Sequence, residues 1–501
     1  MSWLKNPAKS VVFGLAAFAF IGCNSEPLFV GTGDFLNTGR TLSHFTAIQV
    51  DPLNEDSAGP QYVVARDVND DGLVDLVSAW NQTQPIQVHL QRRDARGTIS
   101  FETVTLAGNV SVISVAGLAV TDFDLDGHQD IVVLVREALL PGAGCLDGAA
   151  VMDAASGGVL IVYLGPDNPD IVNQSLAWQD VHIGVSFLVG TYTDMAIGDM
   201  DLDGDVDIVT GWNGCDRSEI LVFTNLGQSQ TQDGTWSVEA IPDEFTEGEV
   251  NDVALADVDG DGDLDVVATK PLAVSMNIRW YRNPVLPTPG ANGICYREDG
   301  TWKVGTVGQI PSGADVISLG DIDRDGIVDV VMRSTNGQII QWLKGPECPT
   351  TPTAPSLTDP FRNLPWQVYT LAEFKERTPE ALALGDLNQD GTLEVVASAG
   401  GALIWFEPAV NRSVYDQWVE HLIIDEDTGT PATQVSATAE MSETADPEME
   451  LVQSLPTTTT INSILIADIN GDHSRDIVAP LDRADLSGLA NDVLVWFRNT
   501  R

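Results

Sequence analysis

Hydrophobic residues in this chain fall in short β-branched or alternating runs, each cut off by Gly, Pro, Asn or Asp. That pattern predicts many short strands joined by tight turns rather than long helices. Around Asp257 it reads as strand, tight loop, strand: Val253-Ala254-Leu255-Ala256 leads into an acidic loop, and Val266-Val267 leaves it. The loop closed by Asp207 is likewise followed by Ile208-Val209. Two more elements recur between loops. One is an aromatic strand, as in Ile278-Arg279-Trp280-Tyr281-Arg282-Asn283 and Leu494-Val495-Trp496-Phe497-Arg498-Asn499. The other opens with Trp, as at Trp236-Ser237-Val238, Trp302-Lys303-Val304, Trp366-Gln367-Val368 and Trp418-Val419-Glu420. Each unit therefore holds four strands.

The loops share a nine-residue pattern, D-x-[D/N]-x-D-G-x-x-[D/E], starting at Asp67, Asp122, Asp199, Asp257, Asp321 and Asp386, with a degenerate copy at Asp468. Seven four-stranded units set radially form an all-β, seven-bladed β-propeller, which leaves only short, protected sheet edges. If the strand before each loop is innermost, the Trp-led strand is outermost. The chain ends on an aromatic third strand, so the strand Phe45-Thr46-Ala47-Ile48-Gln49-Val50 near the N-terminus is expected to complete the last blade and close the ring.

Charge sharpens this picture. The 501 residues carry 73 Asp plus Glu against 25 Lys plus Arg, a formal charge of −48. Such a balance excludes ordinary nucleic-acid binding, which needs a basic face. Disorder is excluded by 43% hydrophobic residues and 12 Trp, enough for a large core. The seven loops hold 28 of the acidic residues, so much of the charge is concentrated where it repels itself.

Oxygen side chains at positions 1, 3, 5 and 9 of a tight loop suit a hard cation such as Ca²⁺, which takes about six to eight oxygens. The expected ligands are Asp67, Asn69, Asp71 and Asp75; Asp122, Asp124, Asp126 and Asp130; Asp199, Asp201, Asp203 and Asp207; Asp257, Asp259, Asp261 and Asp265; Asp321, Asp323, Asp325 and Asp329; Asp386, Asn388, Asp390 and Glu394; and Asp468, Asn470, Asp472 and Asp476. Gly at position 6, such as Gly262, lets the backbone turn, and position 7, such as Asp263, offers a carbonyl. The six His are scattered, which speaks against zinc or copper. A turn held by its own Asx side chains is the alternative for any one copy, but crowding of three to five carboxylates in each of six copies argues against it. An EF-hand is excluded because position 12 of the Asp199 loop is Thr210, in a strand. His473 stands where the seventh loop should have Gly, so that site is expected to be weakest or empty.

The repeated D-x-D-x-D-G-x-x-D with its apolar strands, and the aromatic strands ending in Asn, resemble the FG-GAP/VCBS repeat family over roughly residues 44–501. Its loops are similar to those of the integrin α-chain propeller. The resemblance implies a calcium-stabilised propeller used for adhesion or recognition. It fixes no ligand. Related propellers cleave acidic polysaccharides, so a calcium-dependent lyase or hydrolase is the alternative, as is a purely structural surface component.

Ahead of the propeller, Lys5 and Lys9 precede an apolar run from Val11 to Ile21, which reads as a secretory signal over residues 1–22. Phe20-Ile21-Gly22-Cys23 resembles a bacterial lipobox, so Cys23 is the expected lipidation site, with 23–43 a linker. With Asn24 next rather than Asp, an outer-membrane or surface address is expected, with the membrane reached only through the lipid. Among the other cysteines, topology favours Cys145–Cys215 and Cys295–Cys348 disulfides, with free thiols as the alternative. Residues 425–460 read as a disordered acidic insertion.

Trp280, Trp342, Trp405 and Trp496 sit at equivalent positions and are expected in the core. Trp80 and Trp212, each followed by Asn, end second strands on the face opposite the loops. Arg136, Lys270 and Arg333 fall at corresponding positions; together they form a candidate site for an anionic glycan, the alternative being ordinary strand ends. No catalytic motif is legible; the partner is expected to be an extracellular glycan or protein bound by a monomer.

Overall fold

The computed structural model describes residues 45–50, 58–81, 86–107, 112–140, 144–146, 149–151, 155–183, 190–214, 217–227, 236–243, 248–271, 277–285, 301–346, 366–375, 377–408, 418–424, 459–483 and 493–500. The expected signal, linker and Cys23 lie outside these residues, as do Cys215, Cys295 and Cys348. Cys145 lies in a short strand, Gly144–Leu146, paired with Ala149–Val151.

The chain forms a seven-bladed propeller of antiparallel sheets. In the first six blades the strands run in sequence order from inner to outer. These are Ala58–Arg66, Asp75–Asn81, Ile86–Arg93 and Ile99–Thr105; Val112–Thr121, Asp130–Leu140, Ala155–Leu164 and Gln179–Ile183; Gly190–Gly198, Asp207–Gly214, Ser218–Thr224 and Ser237–Ala240; Asp252–Ala256, Asp265–Thr269, Ile278–Arg282 and Lys303–Gly308; Val316–Gly320, Asp329–Ser334, Ile339–Lys344 and Gln367–Glu373; and Pro379–Gly385, Glu394–Ala399, Ala402–Pro408 and Trp418–Ile424. Each inner strand touches the next around the ring, and the last touches the first.

The seventh blade closes the circle as expected. Phe45–Gln49 pairs antiparallel with Val493–Asn499, Phe45 facing Asn499 and Gln49 facing Val495. Its inner strand is split into Thr459–Thr460 and Leu465–Ala467, both paired to Asp476–Arg483. Thr459 and Thr460 are thus part of the blade, not of the acidic insertion, whose residues 425–458 lie outside those described.

Second and third strands carry nearly continuous apolar runs because they are covered on both faces by neighbouring blades. Val395–Ala399 and Ala402–Phe406 are buried throughout. Trp280, Trp342, Trp405 and Trp496 are buried between blades, Trp405 stacked on His421 at 4.0 Å between ring centroids. Among the described residues the helical content is two 3-10 turns, Pro169–Ile171 and Ser175–Ala177, and no helix is long and apolar enough to cross a membrane.

Candidate metal centres

Every acidic loop joins an inner strand to its second strand, so all seven lie at one end of the ring. Position 2 anchors each loop: Val68, Phe123, Met200, Val258, Ile322, Leu387 and Ile469 are all buried. The apolar residue after the first Asp was visible in all seven copies, though its anchoring role was not.

The closing carboxylate ties the loop to the sheet. Asp207 accepts the Met200 amide (2.8 Å) on one oxygen and the Asn225 amide (2.8 Å) on the other. Asp75, Asp130, Asp265, Asp329 and Asp476 do the same, each from position 2 and from the end of the third strand. The recurring strand-end Asn then reaches the previous blade: the Asn225, Asn283 and Asn499 side chains donate to the Phe123, Met200 and Leu387 carbonyls at 2.7, 2.7 and 2.9 Å. Gln91 does this for Ile469 (2.8 Å).

Inside the loops, position 1 accepts the amides of positions 5 and 6, as Asp257 does from Asp261 (3.0 Å) and Gly262 (3.0 Å). Position 3 also accepts from position 5, and position 5 from position 7, as Asp259 and Asp261 do. These Asx turns aim the carboxylates at one another. Position 6 is left-handed throughout, including His473 at φ 74°. Position 4 is left-handed as well, and there the side chains are Asp70, Leu125, Leu202, Arg324 and Gln389, at φ 55 to 62°. The seventh loop has its glycine at that position instead, Gly471 at φ 71°.

Five loops bring three carboxylates to a point, with oxygens all within 4.8 Å of one another: Asp122, Asp124 and Asp130; Asp199, Asp201 and Asp203; Asp257, Asp259 and Asp265; Asp321, Asp323 and Asp325; Asp386, Asp390 and Glu394. In the third and fifth loops the closing Asp207 and Asp329 are outside the triplet. In the first and seventh, Asn69 and Asn470 donate to Asp71 (3.1 Å) and Asp472 (2.8 Å), which takes up an oxygen at position 5.

Burial pushes Asp75, Asp130, Asp207 and Asp329 up to about 7 against the pull of their amide donors. Burial, with Asp390 and Asp386 beside it, raises Glu394 to about 9. Asp263 also rises to about 9, from burial and then Asp261 and Asp259. Asp199 Oδ1 and Asp261 Oδ2 are buried without a hydrogen-bond donor. Crowded, oxygen-only donors, some buried and others open to solvent, fit a hard divalent cation, which would hold them ionised.

An FG-GAP-like repeat model matches residues 67–133 and 199–268, each stretch running from one acidic loop through the next. The chain is a propeller that carries FG-GAP-like repeats. No curated protein matches the chain significantly in sequence. Solved structures similar to the FG-GAP propeller include an Agrocybe aegerita lectin described as recognising non-reducing terminal N-acetylglucosamine: 12% identity, 73% of this chain and 81% of that one, TM-score 0.43. A chain of the apo, autoinhibited Chaetomium thermophilum Polycomb Repressive Complex 2 is similar at 10% identity, covering 91% of this chain and 98% of that one, TM-score 0.46. Both likenesses are too distant to bear on ligand.

At the opposite end of the FG-GAP propeller, the expected glycan site is not assembled. Trp80 is fully buried, its indole donating to Ser78 Oγ at 2.7 Å. Trp212 is 4% exposed and enclosed so closely that a Cβ on Gly214 would meet its ring at 2.2 Å. Lys270 is 1% exposed and paired with Asp243 at 2.9 Å. Their common cause is blade packing, which covers both faces where second strands end.

Arg136 and Arg333 lie among carboxyls that staple neighbouring blades. Arg136 donates to the Thr193 carbonyl (2.8 Å), and Arg333 is 3.7 Å from Asp315. Asp194 accepts the Val253 amide (3.2 Å), Asp252 that of Ile317 (2.6 Å) and Glu380 that of Ile461 (3.0 Å), each in the next blade. Burial raises the carboxyls of Asp194 and Asp252, which are hydrogen-bonded to each other. Asn213 exchanges two hydrogen bonds with Val250.

Proposed function

We propose that the chain is an exported, calcium-binding propeller that serves as a recognition or adhesion module at a bacterial cell surface. The observation that carries this reading is the gathering of three carboxylates in each of five loops at one end of an FG-GAP-repeat ring. Calcium suits the donors, which are all oxygen, and extracellular calcium modules work at about 0.1–1 mM. The ion would neutralise the crowded carboxylates, while the chain's own residues fix the geometry: position 2 seats the loop and the closing carboxylate holds the third strand.

Export rests on Lys5, Lys9, the apolar run to Ile21 and Cys23 as the lipid anchor. The partner is an extracellular glycan or protein, and the propeller meets it as a monomer. Calorimetric titration of the whole mature chain with Ca²⁺, followed by glycan and protein arrays with and without EDTA, tests the reading. Calcium uptake and EDTA-sensitive capture are expected. No uptake at about 10 mM Ca²⁺ would sink the metal part, and turnover of an acidic polysaccharide would replace recognition with catalysis.

A further inference from the structure

The seven loops differ most at a position outside the motif. It is the third-strand residue just before the backbone position that follows each strand end beside the closing carboxylate. By strand register it is Leu90, Leu164, Thr224, Arg282, Lys344, Glu407 and Arg498 in blades one to seven. The first three carry no charge. In the fifth blade the Lys344 ammonium lies between Asp323 and Asp325 and donates to both, two of the three carboxylates that this loop gathers. In the fourth, the buried Arg282 guanidinium stands 3.8 Å from Asp259. In the sixth the sign is reversed: Glu407 reaches the loop and accepts from Asn388 at 2.9 Å.

We propose that Lys344 is the resident cation of the fifth loop and keeps it free of metal although its motif is intact. An ammonium offers three donors and one charge, and here it is bound by two of the carboxylates that a metal in this loop would need. A divalent ion entering there would have to expel it against the same carboxylates. Side-chain attachment also places the ammonium at high local concentration, which free Ca²⁺ at millimolar levels does not match. The sixth loop is the counterpart: two of its motif positions depart from aspartate, Asn388 and Glu394, yet Glu407 supplies a further oxygen beside them. Motif completeness alone would therefore rank these two loops in the wrong order.

The inference rests on the calcium reading for its choice of ion, but its test stands apart. Whole mature chain, wild type and Lys344→Met, is titrated with Ca²⁺ by calorimetry and with Tb³⁺ by sensitised luminescence. The variant should bind one more ion per chain than wild type. Thr224→Lys, which installs the ammonium in the third blade, should bind one fewer. Melting in EDTA gives a second readout: Lys344→Met should melt below wild type without metal and recover more on adding Ca²⁺. Equal stoichiometry in wild type and Lys344→Met overturns the proposal. A wild type that binds no Ca²⁺ while Lys344→Met gains a site would defeat the general calcium reading and leave the Lys344 assignment standing. If Lys344→Met fails to fold even with Ca²⁺, Lys344→Gln and Thr224→Lys decide: unchanged site numbers in both overturn it.

Discussion

The fourth blade handles acid in opposite ways at its two ends. Away from the loops, a single carboxylate, Asp243, receives Lys270 at 2.9 Å, Arg279 at 2.6 Å and the Tyr281 hydroxyl at 2.9 Å. Both cations there are buried, so this carboxylate is neutralised within the chain. At the loop end, Asp257, Asp259, Asp261, Asp263 and Asp265 crowd together, with Arg282 at 3.8 Å from Asp259. One end is complete as folded; the other has carboxyls that burial drives toward the protonated form. An acidic cluster is therefore informative only together with the cations that its neighbouring strands bring or omit.

Removing divalent metal should separate the two ends most strongly. Each filled loop adds about 1.4 kcal/mol at tenfold excess of ion over Kd, so four filled loops give roughly 6 kcal/mol. Urea unfolding in 5 mM Ca²⁺ against EDTA measures it. Equal midpoints would show that the loops hold themselves by Asx turns alone.

Breaking the self-contained end comes next. Asp243→Ala leaves Lys270 and Arg279 buried without their shared carboxylate and should cost about 3–5 kcal/mol, with or without calcium. A cost below 1 kcal/mol, or one that calcium restores, would erase the distinction between the ends.

The blades, their order and the ring closure were legible because one pattern recurs seven times and each copy states where a strand ends. Strand-end Asn283 and Asn499 were visible as part of an aromatic motif, but their bonds to the preceding blade need the three-dimensional ring. Trp80, Trp212 and Lys270 were misjudged for a related reason. Chain position placed them at strand ends, whereas exposure depends on the adjacent blade, which one blade's sequence does not encode. Lys344 was invisible because it lies 15 residues beyond Asp329 and meets the loop only through strand pairing.

A buried polar site without any ion sharpens the contrast further. His89 is fully buried between Ser78 (2.7 Å) and Thr103 (2.9 Å), and burial lowers its pKa to about 3. The folded value lies below the unfolded one, so the unfolded chain takes the proton first. Stability from neutral His89 is complete above pH 6.5 and is lost as pH falls toward 3. In saturating calcium, wild type should lose about 2 kcal/mol between pH 7 and pH 5 relative to His89→Gln. An advantage or deficit that stays constant over that range would contradict the assignment.

The smallest expected effect lies within the loops, between the seventh and the others. His473 occupies the left-handed position that glycine holds in the other six loops, at φ 74° and with its side chain almost wholly in solvent. Its amide makes the same bond to position 1 that the glycines make, 2.9 Å to Asp468. The loop therefore keeps its path with a side chain there, and the cost is confined to the backbone, about 1 kcal/mol. His473→Gly removes that cost but gives the unfolded chain more freedom, about 0.4–1 kcal/mol in the opposite sense. The net change in metal-free stability should lie within about 0.5 kcal/mol of zero. Calcium separates the two contributions, because unfolded-state freedom does not alter the folded loop's affinity for an ion. If strain in the folded loop is what weakens the seventh site, His473→Gly tightens one calcium-binding step at nearly unchanged metal-free stability. If Asn470 bonded to Asp472 is what weakens it, that step moves with Asn470→Asp instead.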